Sequence, residues 1–445
     1  MRLLNVETYE LQTIHVENVT YAILSHRWYE EEITFETLNA AQLKNTQEQS
    51  PQLDKIRGAC ARAKEDELKW VWIDSCCINK ASSQEMNESI NSMFQWYQKA
   101  AVCYTYLPDV VSTTPGTDLF RPHETEDWPA RKYSEWFERG WTLQELLAPR
   151  KMKFFDRDWQ PIGTRADLAR DISRITGIEA RYLTGTVEFL NASIATRLSW
   201  QAGRRTTKIE DIAYSLVGVL DVQLVPFYGE GRQAFQRLQE EILKRHLDES
   251  IFAWTAPVGS LPSHSRPWVS DQWGLLAPSP DCFKNSRDIV INGPSTSRPP
   301  GHIQTTVEGV TFPISIKDLM ASKYPQAWFA FYFLSTFTLI GPFAVQAYAK
   351  HRHADCKVFP LTLNCWRRDE YGQRKAVQVF ISRDRKGDQL WRRCRCDELG
   401  STNERQSNAT YADKILYNVT HNNAGQAPDW LDITILQPNG VRWPV

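Results

Sequence analysis

The sequence has no surplus of either charge. Its 52 lysines and arginines stand against 53 aspartates and glutamates, a formal net charge of −1. That balance excludes the electrostatic footprint of a nucleic-acid binder and leaves no acidic tail. No GxxxxGK[ST] phosphate loop occurs, which excludes a P-loop NTPase. Cys394-Arg395-Cys396 has no second pair at useful spacing, so no metal site is expected. The nine cysteines are scattered and odd in number, which predicts free thiols. Met1 to Glu7 carries no apolar run of the kind that opens a secretion signal, and with the thiols this predicts a cytoplasmic protein. Long apolar runs are otherwise scarce. The exception is Tyr324 to Ala349, which has no charged residue. Gly341-Pro342 interrupts it, so buried strands or an irregular insert is the preferred reading, with a membrane segment as the alternative.

What is present is organised around Arg139-Gly140-Trp141-Thr142-Leu143-Gln144-Glu145-Leu146-Leu147-Ala148-Pro149. The spacing predicts a short helix with Trp141 and Glu145 one turn apart on the same face, stopped near Pro149. Glu145 reads either as a poised active-site acid or as an ordinary exposed helix residue.

Three continuous apolar runs precede this segment: Tyr21 to Leu24, Lys69 to Ile73 and Ala101 to Leu107. Lys153 to Asp156 follows it. Continuous rather than alternating apolarity predicts strands covered on both faces. Helical periodicity lies between them, over Leu53 to Leu68 and from Ser82, where Glu85 completes a capping box. The β-α-β-α-β-α-β order over residues 20 to 160 predicts an α/β domain with a parallel sheet. Glu30 to Glu36 reads as an acidic loop. From Arg165 to His246 the chain reads as mostly helical, with a buried helix over Asp211 to Leu220. Beyond Ser250, prolines and short β-like runs predict a β-rich domain. The expected domains are 1–160, 161–250 and 251–445.

In such sheets ligands gather at the carboxyl ends of the strands. Ser25-His26-Arg27 ends the first strand, Asp74 the second, and Trp141 with Glu145 follows the third. Arg27 suits a phosphate or carboxylate. Cys76 and Cys77 beside His26 raise a thiol nucleophile, though strand-end thiols are usually inert. A carboxylate such as Glu145 can stabilise an oxocarbenium ion or hold a ribose hydroxyl, and Trp141 can stack on a flat ring.

Three blocks in order resemble the fungal heterokaryon-incompatibility (HET) domain: Tyr21 to Trp28; Trp72 to Lys80 with Glu85, Met93, Tyr97 and Ala100; and Arg139 to Glu145. Lys80 stands where that family usually has Gln. Arg205 to Tyr214 and Tyr228 to Ile242 resemble the helical extension seen in many such proteins. The resemblance implies a TIR/flavodoxin-like parallel sheet with helices on both faces, followed by that extension and the β-rich C-terminal domain. It implies a role in non-self recognition and regulated cell death. Through the TIR likeness it implies Glu145 as the catalytic residue of NAD+ cleavage, with Ser25, His26, Arg27, Trp28, Asp74, Cys77 and Trp141 lining the NAD+ site. It implies no cofactor beyond NAD+ as substrate, self-association through the HET domain, and an incompatibility partner protein. A non-catalytic adaptor that recruits an effector is the alternative.

Overall fold

The computed structural model describes residues 1–15, 17, 19–45, 47–111, 120, 133–256, 274–291, 303–305, 309–315, 358–368, 373–382, 390–394, 399–403 and 430–436. The apolar run Tyr324 to Ala349 lies outside the described residues. Among those described, no helix is long and apolar enough to cross a membrane. The chain divides into two compact units, Met1–Asn191 with Gly203–Leu238, and Ala192–Ala202 with Gln239–Val445.

The first unit is built on seven strands: β1 (Arg2–Asn5), β2 (Leu11–Thr13), β3 (Ala22–His26), β4 (Trp70–Trp72), β5 (Val102–Tyr106), β6 (Met152–Phe155) and β7 (Pro161–Thr164). Their order across the sheet is β2-β1-β4-β3-β5-β6-β7. The four central strands, β4, β3, β5 and β6, run parallel. They are the four expected from continuous apolar runs, and β3 and β5 are buried along their whole length. The edges were not anticipated. β1 and β2 pair antiparallel beside β4, and β7 pairs antiparallel with β6. These strands are short and partly exposed, so they carry no continuous apolar signal.

Five helices connect the strands: α1 (Ala40–Lys44), α2 (Pro51–Glu65), α3 (Asp74–Cys77), α4 (Ser83–Lys99) and α5 (Thr142–Leu147). Successive residues of β5 and of the β3–β4 pair face opposite sides of the sheet. On one side the Tyr104 hydroxyl donates to Asp66, the C-cap of α2, at 2.7 Å. On the other, Trp72 packs edge-on against Trp96 and Tyr97 of α4. Helices therefore cover both faces. Ser82 caps α4 as expected, its Oγ accepting from the Glu85 amide at 3.3 Å. The reciprocal half of the box is replaced: the Glu85 carboxylate binds Arg2 of β1 and the Asn79 amide. Glu85 thereby ties the antiparallel edge to the loop after α3.

Helices α6 (Ala169–Thr176), α7 (Ala180–Leu183), α8 (Ile194–Ser199), α9 (Asp211–Tyr214) and α10 (Gln233–Arg245) follow. The helix expected over Asp211 to Leu220 is only four residues long before it gives way to turns, although Val217, Val219 and Leu220 are buried. The turns bring Gly218 against Phe94 of α4, where an added Cβ would collide with the ring.

The second unit carries the expected β-rich region: β8 (Ile289–Val290), β9 (Gln304–Thr305), β10 (Gly309–Ser315), β11 (Val358–Arg368), β12 (Arg374–Ser382), β13 (Leu390–Cys394), β14 (Gly400–Asn403) and β15 (Trp430–Leu436). The order is β8-β11-β12-β13-β15-β10-β9, with β14 also on β12. Every pairing is antiparallel except β13 with β15.

Candidate active site

The Arg139 to Pro149 segment forms α5 largely as expected, ending at Leu147 with Ala148 as its C-cap and Pro149 next. All six helical residues are buried, which removes the reading of Glu145 as an exposed helix residue. Its entry is pinned. Gly140 donates to the Arg205 carbonyl at 2.8 Å, and the Arg205 amide to the Glu138 carbonyl at 2.6 Å. The Arg204 guanidinium donates to the Arg139 carbonyl at 2.9 Å and the Thr142 hydroxyl at 3.0 Å.

Glu145 is 5% exposed, and the Ser25 hydroxyl at the end of β3 donates to its Oε2 at 2.5 Å. Ser25 in turn accepts from the Trp136 indole N–H at 2.9 Å. Burial, joined by the charge of Asp74, pushes the Glu145 carboxyl up to about 8. The Ser25 hydrogen bond and the charges of Arg204 and Arg139 oppose that rise without cancelling it. At neutral pH roughly nine in ten carboxyls keep their proton. Tyr97, which donates to the Leu24 carbonyl at 2.9 Å, is pushed up by burial and then by Glu145.

The pleat separates Ser25 from His26, because consecutive strand residues face opposite sides of the sheet. His26 turns toward a buried ion pair in which Lys55 Nζ lies 2.5 and 2.6 Å from the two Glu32 oxygens. Glu30 to Glu36 is a loop, as expected, but one of its acids is not a surface group. Glu32 is buried, held by Lys55 of α2 and by the Tyr29 amide at 2.7 Å. His26 Nε2 is 3.9 Å from Glu32 and Nδ1 3.7 Å from Asp74, too far for hydrogen bonds. Burial, with Lys55 and Lys80 nearby, holds its imidazole well below its usual range, so it is neutral.

Asp74 lies at the carboxyl end of β4 as the first residue of α3. Its Oδ2 accepts from the Trp28 indole at 2.8 Å, and a fifth of its side chain is exposed. Burial raises its carboxyl, while Lys80, the Trp28 bond and Lys55 pull it down. It influences both Glu145 and Glu32, so it links the two sides of the sheet end. Ser25, Glu145, Asp74, His26 and Trp28 thus converge around the carboxyl ends of β3 and β4.

Three expected residues go elsewhere. Arg27 pairs with Glu135, Nε to Oε2 2.8 Å. Trp141 shares a helix turn with Glu145, but its indole lies toward Asp211, where it opposes the rise that burial imposes on that carboxyl. Cys77 is buried in α3, its sulfur accepting from the Ile73 amide at 3.4 Å. All six described free cysteines are buried. Neighbouring Cys76 is pushed well up, chiefly by its bond to Cys77, as befits an inert thiol. Sequence reasoning missed Trp136, the indole that does reach Ser25. It also missed Lys55 and Arg204. Trp136 belongs to an aromatic Trp-Phe pair that reads as ordinary core, and no local spacing announces it.

Residues 21–132 match the family model described as heterokaryon incompatibility protein (HET). The chain carries a HET domain. The match ends before Glu145, so the α5 segment rests on the structure and the motif. Residues 233–297 match a domain of unknown function, DUF8212. The vegetative incompatibility protein HET-E-1 of Podospora anserina is 42% identical over 227 residues, covering 50% of this chain and 16% of that protein. The HET-domain chain therefore spans about a sixth of the length of this curated relative. No solved structure matches.

Proposed function

We propose that this HET-domain protein acts in heterokaryon incompatibility, and that its first unit is a TIR/flavodoxin-like domain that cleaves NAD+ in the cytoplasm, the loss of NAD+ driving cell death. The relative's printed role supports the first part. The parallel strands support the second: numbered by their order in the chain, they stand 2-1-3-4 across the sheet, the flavodoxin arrangement, whose switch point falls between β3 and β5. The observation that carries the reading is Glu145 held by Ser25 at that switch point with its carboxyl raised to about 8.

In this reaction the bond from C1′ of the ribose to the nicotinamide nitrogen breaks, and nicotinamide leaves with the bonding pair. Water adds at C1′ and loses a proton, giving ADP-ribose. Ionised Glu145 stabilises the positive charge that develops on the ribose. Trp136 and Ser25 aim the carboxylate, and Tyr97 stands beside it. The pyridinium charge of NAD+ favours the ionised form, so binding itself lowers the Glu145 carboxyl.

One observation favours the adaptor reading: Ser25 is fully buried and Glu145 nearly so, as befits a satisfied structural pair. Glu145→Gln separates the two, because the amide keeps the shape and still accepts from Ser25. The purified chain is expected to release nicotinamide from NAD+, and the Gln variant to lose that release and its toxicity in cells. Toxicity that persists in Glu145→Gln without nicotinamide release assigns the domain to signalling instead.

A further inference from the structure

Among the buried polar atoms near the end of the sheet that have no hydrogen-bond partner are Asp74 Oδ1, His26 Nε2 and Lys80 Nζ. Buried polar atoms are normally satisfied, so these orphans call for an account; His26 Nε2 faces Glu32, at 3.9 Å, while the Asp74 and Lys80 side chains both contact one neighbour. Trp28 is that neighbour. Its N–H is bound to Asp74 Oδ2, and the Lys80 ammonium lies 3.2 Å from the centroid of its ring. The indole is thus pinned at both, its N–H by the Asp74 carboxylate and its ring by the Lys80 ammonium.

The polarity of the orphans defines what fits between them. Asp74 Oδ1 needs a donor and Lys80 Nζ needs an acceptor. The surrounding charges cancel: Asp74 and Glu32 are met by Lys80 and Lys55, and His26 is neutral. A phosphate would face two carboxylates, whereas a hydroxyl accepts from Lys80 and donates to Asp74 at once. We infer that Asp74 and Lys80 bracket a hydroxyl of a neutral vicinal diol, the ribose whose C1′ faces Glu145. This deepens the NAD+ reading and rests on it. Lys80 is then a binding residue, and Trp28, 37% exposed, is the indole that flanks the sugar.

The test uses the full chain with ADP-ribose as an uncleavable probe, alongside its forms lacking the 2″- or the 3″-hydroxyl of the terminal ribose. Calorimetry on the wild type is expected to show at least one deoxy probe binding roughly ten- to hundredfold more weakly, the range for hydrogen bonds to charged groups. In Asp74→Asn and in Lys80→Gln that penalty is expected to fall to about twofold or less, as a double-mutant cycle requires for a direct contact. Either variant decides the matter alone if the other fails to fold. A penalty unchanged in the variants overturns the inference. So does equal binding of all three probes, which would leave the orphans to water, or no binding of ADP-ribose at all. Nicotinamide release is read on the same wild-type preparation. Cleavage without diol discrimination overturns this inference and leaves the proposed reaction standing; discrimination without cleavage does the reverse.

Discussion

A carboxyl held up to about 8 makes Glu145 a measurable group in two independent ways. For catalysis, the ionised form grows about tenfold per pH unit below that value. The kcat/KM for nicotinamide release is therefore expected to climb from pH 6 and level off near pH 8. The kcat profile should level off at lower pH, because bound pyridinium favours the carboxylate. A profile flat over this range would remove Glu145 from the reaction. For stability, the folded carboxyl keeps its proton up to about pH 8, while the unfolded one loses it near the ordinary value of 4.5. The native state thus binds more protons across that window, and its stability falls as pH rises through it. Glu145→Gln does not titrate. Its melting temperature relative to wild type is expected to rise between pH 5 and pH 8, and a constant offset would contradict the buried acid. Ser25→Ala removes both the donor to Glu145 and the acceptor for Trp136. Leaving that indole N–H buried and unpaired is expected to cost about 1–3 kcal/mol in urea unfolding.

Helix α2 shows how an element is fixed by what lies beneath it. Gly58 sits mid-helix, where Ala would normally gain about 1 kcal/mol. A Cβ there would lie 2.1 Å from the Trp159 indole, which is itself stacked on Tyr106 at 4.7 Å and has little room to yield. Overpacking costs about 1–3 kcal/mol, so Gly58→Ala is expected to lower stability on balance. A stabilised variant would show that Trp159 swings aside. The same helix carries Lys55, buried against Glu32. Lys55→Met is expected to cost about 3–5 kcal/mol by stranding the Glu32 charge, and Glu32→Gln added to it should recover much of that loss. Equal losses in the single and double variants would mean that packing of the lysine stem, rather than its charge, is what matters.

For the whole molecule, the HET domain accounts for part of one unit, and the β-rich second unit stands as a separate module with its own sheet. If self-association switches the domain on, nicotinamide release per mole of full chain is expected to rise across a protein dilution series. A constant specific activity would mean that each chain is competent alone. The six described thiols are all buried, so alkylating agents are expected to leave them unmodified in the native state, as mass spectrometry of the treated protein would show.

The sequence by itself determined the alternation of strand and helix, because a strand covered on both faces is apolar at every position and a helix between strands shows its own period. It determined the caps, the stop of α5 and the HET resemblance, each of which depends on residues close in the chain. The edge strands β1, β2 and β7 stayed hidden because a half-exposed strand of three or four residues has no apolar run to betray it. Only the tertiary structure decided which side chains meet. Ser25 and Glu145 are 120 positions apart, and Trp136 lies 111 from Ser25. The pleat alone sent His26 away from its neighbour Ser25. Above all, the structure decided burial. The same Glu145 read as exposed or poised in the sequence, and the packing of α5 removed its water and raised its carboxyl.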